Sequence, residues 1–222
     1  MEYSFNLYNK FAADGVAVSV ERFLRGIKKN RTLKKKTVAS LQFLKTEGAG
    51  SGLHFKKEPY KKQDIGDFSA ERPVLLCVGS DLAIGDCLGP ITGSMLKRKT
   101  SGLNAYIYGT LSAPVTAKEM KYMREFLRRT HPRSPVVAVD AAVGGAGDIG
   151  LIKITDSPLR PGAGANKDLG CVGDLSVMGI VAEKSVGNYA LLNQTRLNLV
   201  YKMADVISTA LADLLFEKCE KR

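Results

Sequence analysis

A chain of 222 residues, 45% of them hydrophobic, can bury a real core in one globular domain with an appendage. It holds no apolar run of the roughly eighteen residues a membrane-spanning helix needs, and Met1–Val18 lacks the charged start, apolar centre and small-residue cleavage site of a secretory signal. The formal charge of +11 is uneven: residues 1–72 carry 15 Lys and Arg against 8 Asp and Glu, and residues 73–222 carry 18 against 14.

In chain order, residues 15–28 have the spacing of a short amphipathic helix, with Val18, Phe23, Leu24 and Ile27 apolar. The densest basic run, Arg25–Lys36, fits two readings: a solvated arm, or a contact with nucleic acid or an anionic surface. It brings no base-stacking module and no zinc spacing. From Gly48 to Lys62 the chain is polar and rich in Lys and Gly, as a linker is. We therefore expect a basic N-terminal extension and linker over 1–72 and a folded domain over 73–222.

After Pro73 strand and helix patterns alternate. Val74–Val78 is a short, fully apolar run, the signature of a strand covered on both faces. A helix is expected near 87–98, a strand over 105–109, and a helix over 116–130 with Met120, Met123, Phe126 and Leu127 on one side. Strands follow at 136–139 and 149–154, then a glycine-bearing loop over 156–175 and a long helix over 188–217. Repeated β-α-β units with buried strands argue for a mostly parallel sheet with helices on both faces.

Two aspartates follow two of these strands. Val74–Val78 leads through Gly79, Ser80 and Asp81 to Asp86, and Val136–Val139 ends on Asp140. Open α/β sheets gather their sites beyond the carboxyl ends of strands, which would bring both acids to one pocket. There, two carboxyl groups can divide the work of general base and general acid. Asp86 also suits a helix N-cap, Asp81 a turn, and Asp140 a solvent-facing strand end. The segment is no phosphate loop, because it lacks the Gly-Lys-Ser/Thr ending and the GxGxxG spacing.

Further candidates for holding a substrate are Ser80, Asp81 and Gly144 beside these strands, then Gly164, Asn166 and Lys167 in the glycine-rich loop, and Asp174 after it. Asn166 and Lys167 suit the orientation of a carbonyl or an oxyanion. Cys77, Cys87, Cys171 and Cys219 are widely spaced without CxxC, as in a cytosolic protein with reduced thiols. Cys87 has no histidine base beside it in sequence.

Residues 73–217 resemble the spore protease family called YyaC, found in endospore-forming bacteria. The segments that carry the resemblance are VLLCVGSDLAIGDCLGP, YGTLSAPV, VVAVDAAVGG, PLRPGAGANKDLGCVGDLSVMGIV and LLNQTRLNLVYKMADVI, in the family's order. That family is in turn similar to the hydrogenase maturation endopeptidases and the germination protease. The resemblance implies an α/β fold, a three-layer αβα sandwich of the phosphorylase/hydrolase-like kind with a mostly parallel sheet, behind the basic extension. The endopeptidase pattern GNxLxxDEGxG lays onto Gly79–Gly89, which puts its metal-binding acid on Asp86 and the second acid on Asp140.

The implied activity is hydrolysis of peptide bonds in sporulation or germination, in the mother-cell or forespore cytoplasm of a spore-forming bacterium. Spore proteins or peptides would be the partners. The endopeptidases add a late histidine as third ligand. Here the histidines are His54 and His131, neither in that position. Two carboxylates rarely make a transition-metal site, so we expect no cofactor, or at most a weakly held divalent cation at Asp86 and Asp140. The alternative is a non-catalytic peptide- or ligand-binding protein on a peptidase-like scaffold, tethered by its arm to DNA or acidic spore components.

Overall fold

The computed structural model describes residues 1–27, 29, 72–103, 105–162, 170–184, 192 and 194–220. In chain order they form β1 (Glu2–Asn6), α1 (residues 12–27), β2 (Val74–Cys77), α2 (Leu88–Lys99), β3 (Tyr106–Tyr108) and α3 (Met120–Thr130). There follow β4 (Val136–Gly144), β5 (Leu151–Thr155), β6 (Leu175–Glu183) and α4 (Leu197–Glu220). Short 3-10 turns at Gly85–Cys87 and Ala146–Asp148 introduce α2 and β5.

The six strands make one mixed sheet in the order β1-β5-β6-β4-β2-β3. Neighbours from β3 to β6 run parallel, while β5 is antiparallel to β6 and β1 antiparallel to β5. Strands covered on both faces must be apolar at nearly every position, and β2 is buried throughout. One face, with Leu75, Cys77, Val137, Val139 and Val177, packs against α1, α2 and α4. The other, with Leu76, Val78 and Ala138, packs against Met120 and Leu127 of α3. This is the α/β fold with helices on both faces that the alternating pattern implied.

Residues 1–27 depart from the expected extension. β1 extends the sheet by pairing Glu2–Asn6 with β5, and α1 buries Val16, Val20, Phe23 and Leu24 in the main core. The boundary near residue 72 thus does not divide them from the sheet. Val18, expected among the apolar positions that pack, is 65% exposed. The buried stripe follows Val16 at helical spacing, and a residue two further on points the other way. The rest of the basic run beyond residue 29, the linker and His54 lie outside the described residues.

Leu24 is 1% exposed, so Leu24→Ala is expected to lower the unfolding free energy by about 2–5 kcal/mol. A urea titration decides this. An appended arm would leave the midpoint unmoved.

β6 went unassigned in the sequence, yet it lies between β5 and β4 with most of its residues buried. β4 runs five residues past its expected end, from Asp140 through Gly144. α3 begins at Met120 because residues 116–119 form turns, with Thr116 N–H donating to Glu119 Oε2 at 3.0 Å. No helix among the described residues is long and apolar enough to cross a membrane.

Candidate active site

β2 ends where Val78 N–H donates to the Val139 carbonyl at 2.7 Å. Gly79 then turns the chain with φ of 142°, and a β-carbon there would collide with the Asp86 carbonyl. Only glycine fits that approach. The loop closes on itself: Ser80 N–H donates to the Asp86 carbonyl at 3.2 Å, and Ser80 Oγ accepts from Leu82 N–H at 3.1 Å. Asp86 sits in the 3-10 turn that runs into α2, and Gly89 lets α2 lie directly on the Val78 carbonyl. Asp86 is therefore held at the carboxyl end of β2 by backbone on both sides.

The capping reading of Asp86 does not hold. Cys87 is the N-cap of α2, and neither it nor Ile84, which caps the 3-10 turn, makes a side-chain capping bond. Asp140 is no loop residue either. It lies within β4 opposite Met178 of β6, on the same face as Val136 and Ala138 by the two-residue period, and is 9% exposed. Its Oδ1 accepts from Ala141 N–H at 2.8 Å.

Burial drives both carboxyl groups upward. For Asp140 the rise is large, and the charge of Asp86 adds to it against the Ala141 hydrogen bond. Asp86 is half-buried and raised by burial, opposed by a hydrogen bond from the Ser80 backbone. A pair in which each charge disfavours the other releases its protons in two separated steps. The more buried member, Asp140, keeps its proton longer. Parallel pairing of Cys77 with Val139 sets the end of β2 beside Asp140, near enough for the Asp86 charge to raise it.

The other candidates divide. Ser80 shapes the loop, and Asp81 is exposed there. Gly144 is four residues past Asp140, about 13 Å along the strand, where a β-carbon would meet Ile180 and Asp148. Asp174 is at the opposite end of the sheet. Its Oδ2 accepts from Val136 N–H at 2.9 Å and its own N–H donates to the Val136 carbonyl at 2.8 Å, so it orders the start of β4. Both belong away from the carboxylate pair, because parallel register sets which end of a strand a residue reaches. Gly164, Asn166 and Lys167 lie outside the described residues.

Thr195, in the Asn193–Arg196 run whose place ahead of the last helix lets it reach this pocket, lies beside Gly85. It is 8% exposed, its Oγ1 donates to the Val181 carbonyl at 3.5 Å, and it stands 3.1 Å from where a Gly85 β-carbon would lie. Burial, then the charges of Asp81 and Asp86, push the Cys87 thiol up, which disfavours a thiolate nucleophile. Burial raises the Cys77 thiol to about 12.

His131 is bound elsewhere: its Nε2 is 2.8 Å from the Tyr108 hydroxyl, and its ring lies 4.3 Å from that of Tyr106. Among the described residues, no three His, Cys, Asp or Glu side chains come together in a way that would hold a metal ion. With no imidazole or thiolate joining them among the described residues, two carboxylates do not fit nickel.

The family model described as "Protein of unknown function (DUF1256)" matches residues 58–210. A Bacillus subtilis (strain 168) protein described as "Uncharacterized protein YyaC" is 43% identical over 139 residues, which cover 63% of this chain and 67% of that protein. Among solved structures, the [NiFe] hydrogenase maturation protease HycI from Thermococcus kodakarensis KOD1 aligns with a TM-score of 0.43 and 17% identity, over 66% of this chain and 93% of that one.

Proposed function

The chain belongs to the DUF1256 family, and from that premise we propose that it hydrolyses peptide bonds, with Asp86 and Asp140 activating water. The observation that carries the proposal is the buried Asp140 carboxyl, 9% exposed and raised by burial and by the Asp86 charge. An acid kept protonated beside a more exposed carboxylate is the arrangement that general acid and base catalysis needs.

Asp86, ionised, takes a proton from water as the oxygen attacks the peptide carbonyl carbon. Asp140 gives its proton to the carbonyl oxygen. As the tetrahedral intermediate collapses, the C–N bond breaks. The leaving nitrogen takes the proton from Asp86, and the hydroxyl returns one to Asp140. Attack moves two protons and exchanges the protonation of the pair; collapse moves two more and restores it. No step passes through a metal.

The motif resemblance to a spore protease family supports a finer reading, in which the substrates are proteins of sporulation or germination in the mother-cell or forespore cytoplasm. The test incubates the full chain with extracts of sporulating and germinating cells and reads new termini by mass spectrometry. Discrete cuts are expected, and Asp86→Asn should slow them by about 10³-fold, within the range of a lost general base. Cuts at the native rate by folded Asp86→Asn protein would reject the mechanism. With no cuts by the native chain, the scaffold would be a peptide- or ligand-binding one.

A further inference from the structure

A groove on α2 lies outside the carboxylate pair. It is a cavity of about 500 Å³ between α2, the loop after β3 and Tyr201 of α4. Ile91 and Met95, both buried, form its floor, while Leu111 and Tyr201 are 44% and 52% exposed at its sides. Leu111 N–H donates to Ser94 Oγ at 2.9 Å, which ties the loop to the helix. Lys97 and Arg98 line the groove in the last turn of α2, both exposed. Among the described residues neither has a carboxylate partner, and Asp205 of α4 is taken by Lys99 at 2.7 Å.

We propose that this groove holds an acidic segment of the polypeptide substrate, with an apolar side chain against Leu111 and Tyr201 and carboxylates against Lys97 and Arg98. The proposal rests on the hydrolase reading for what is then cut. Charge complementarity selects the occupant: two cations with no carboxylate partner among the described residues stand at one end of an apolar slot. A nucleic-acid backbone calls instead for cations tracking its whole length.

The position relative to the cut also follows. Asp86 stands just ahead of α2, and Lys97 comes eleven residues later. That is about 16 Å along a helix, the span of about five extended residues. The acidic residues should therefore lie about five positions from the scissile bond.

The test uses the full chain and a fluorescein-labelled peptide of alternating Leu and Ala ending in a run of Glu, with a Gln-ended peptide as its control. Fluorescence anisotropy is expected to show the Glu peptide binding about tenfold tighter, as two exposed ion pairs allow. The double variant Lys97→Glu with Arg98→Glu should erase the difference while circular dichroism stays native. Equal binding of the two peptides, or an unaltered preference in the folded double variant, overturns the proposal. Displacement of the Glu peptide by a single-stranded oligonucleotide of equal charge at equal concentration also overturns it, in favour of nucleic acid. Binding of the Glu peptide without Asp86-dependent cleavage supports the groove and removes the hydrolase reading alone.

Discussion

Asp140→Asn is expected to abolish turnover, by about 10³-fold or more, and to raise the thermal midpoint near neutral pH. The two effects have one cause. Burial, and then the charge of Asp86, hold the Asp140 carboxyl well above its ordinary value in the folded protein. In the unfolded chain it returns to about 3.9. Between those values the folded state binds more protons than the unfolded state, so stability falls as pH rises through that window. Asparagine has no charge to bury and removes the fall. The stability difference between variant and wild type should be near zero at acid pH and grow with rising pH until the folded carboxyl would have ionised. Thermal unfolding across pH measures it. Parallel curves for the two proteins would show that Asp140 bears no such penalty, and the proposed acid would lose its physical basis.

Gly89→Ala and Gly26→Ala are expected to have opposite signs. Both glycines are helical, and helix propensity alone favours alanine at each by about 1 kcal/mol. Gly26 on α1 is exposed, and a β-carbon there meets nothing within 4 Å. That substitution should stabilise by about the propensity difference. At Gly89 the added carbon would lie on the Val78 carbonyl. Backbone cannot yield as a flexible side chain can, so α2 must move off β2, at a cost of about 3 kcal/mol or more. The contact outweighs the propensity. Asp86 precedes that helix directly, so the same shift should also lower cleavage by any Gly89→Ala protein that remains folded. A denaturant titration in which Gly89→Ala matched Gly26→Ala would show that α2 does not rest on the strand end.

Much of the central sheet was legible in the amino-acid order. β2 and the start of β4 must be apolar throughout because helices cover both their faces, and such runs stand out. α4 shows its helical period, with Val200, Met203, Ala204, Ile207 and Leu211 all buried. The turn after β2 was legible in its glycines. β1 was not, because an edge strand needs few apolar residues: Glu2–Asn6 alternates exposed and half-buried positions without one fully buried. β6 is apolar enough to be a strand, but its glycine and its place after a glycine-rich loop hid it.

The acids and the groove show where local pattern stops. Local composition marked Asp86 and Asp140 as carboxylates after apolar runs, and Asp174 as a lesser candidate for the same pocket. Only parallel pairing separates them. It puts Asp140 within β4, near enough for the Asp86 charge to raise it, and Asp174 at the other end of the same strand on Val136 N–H. Likewise α2 reads as a basic-ended helix, and only its packing beside Leu111 and Tyr201 makes a groove of it. Strand and helix identity follow from side chains near in sequence, so the order of residues determined them. Which groups face one another depends on contacts between distant segments, whose register is set only when the whole sheet closes.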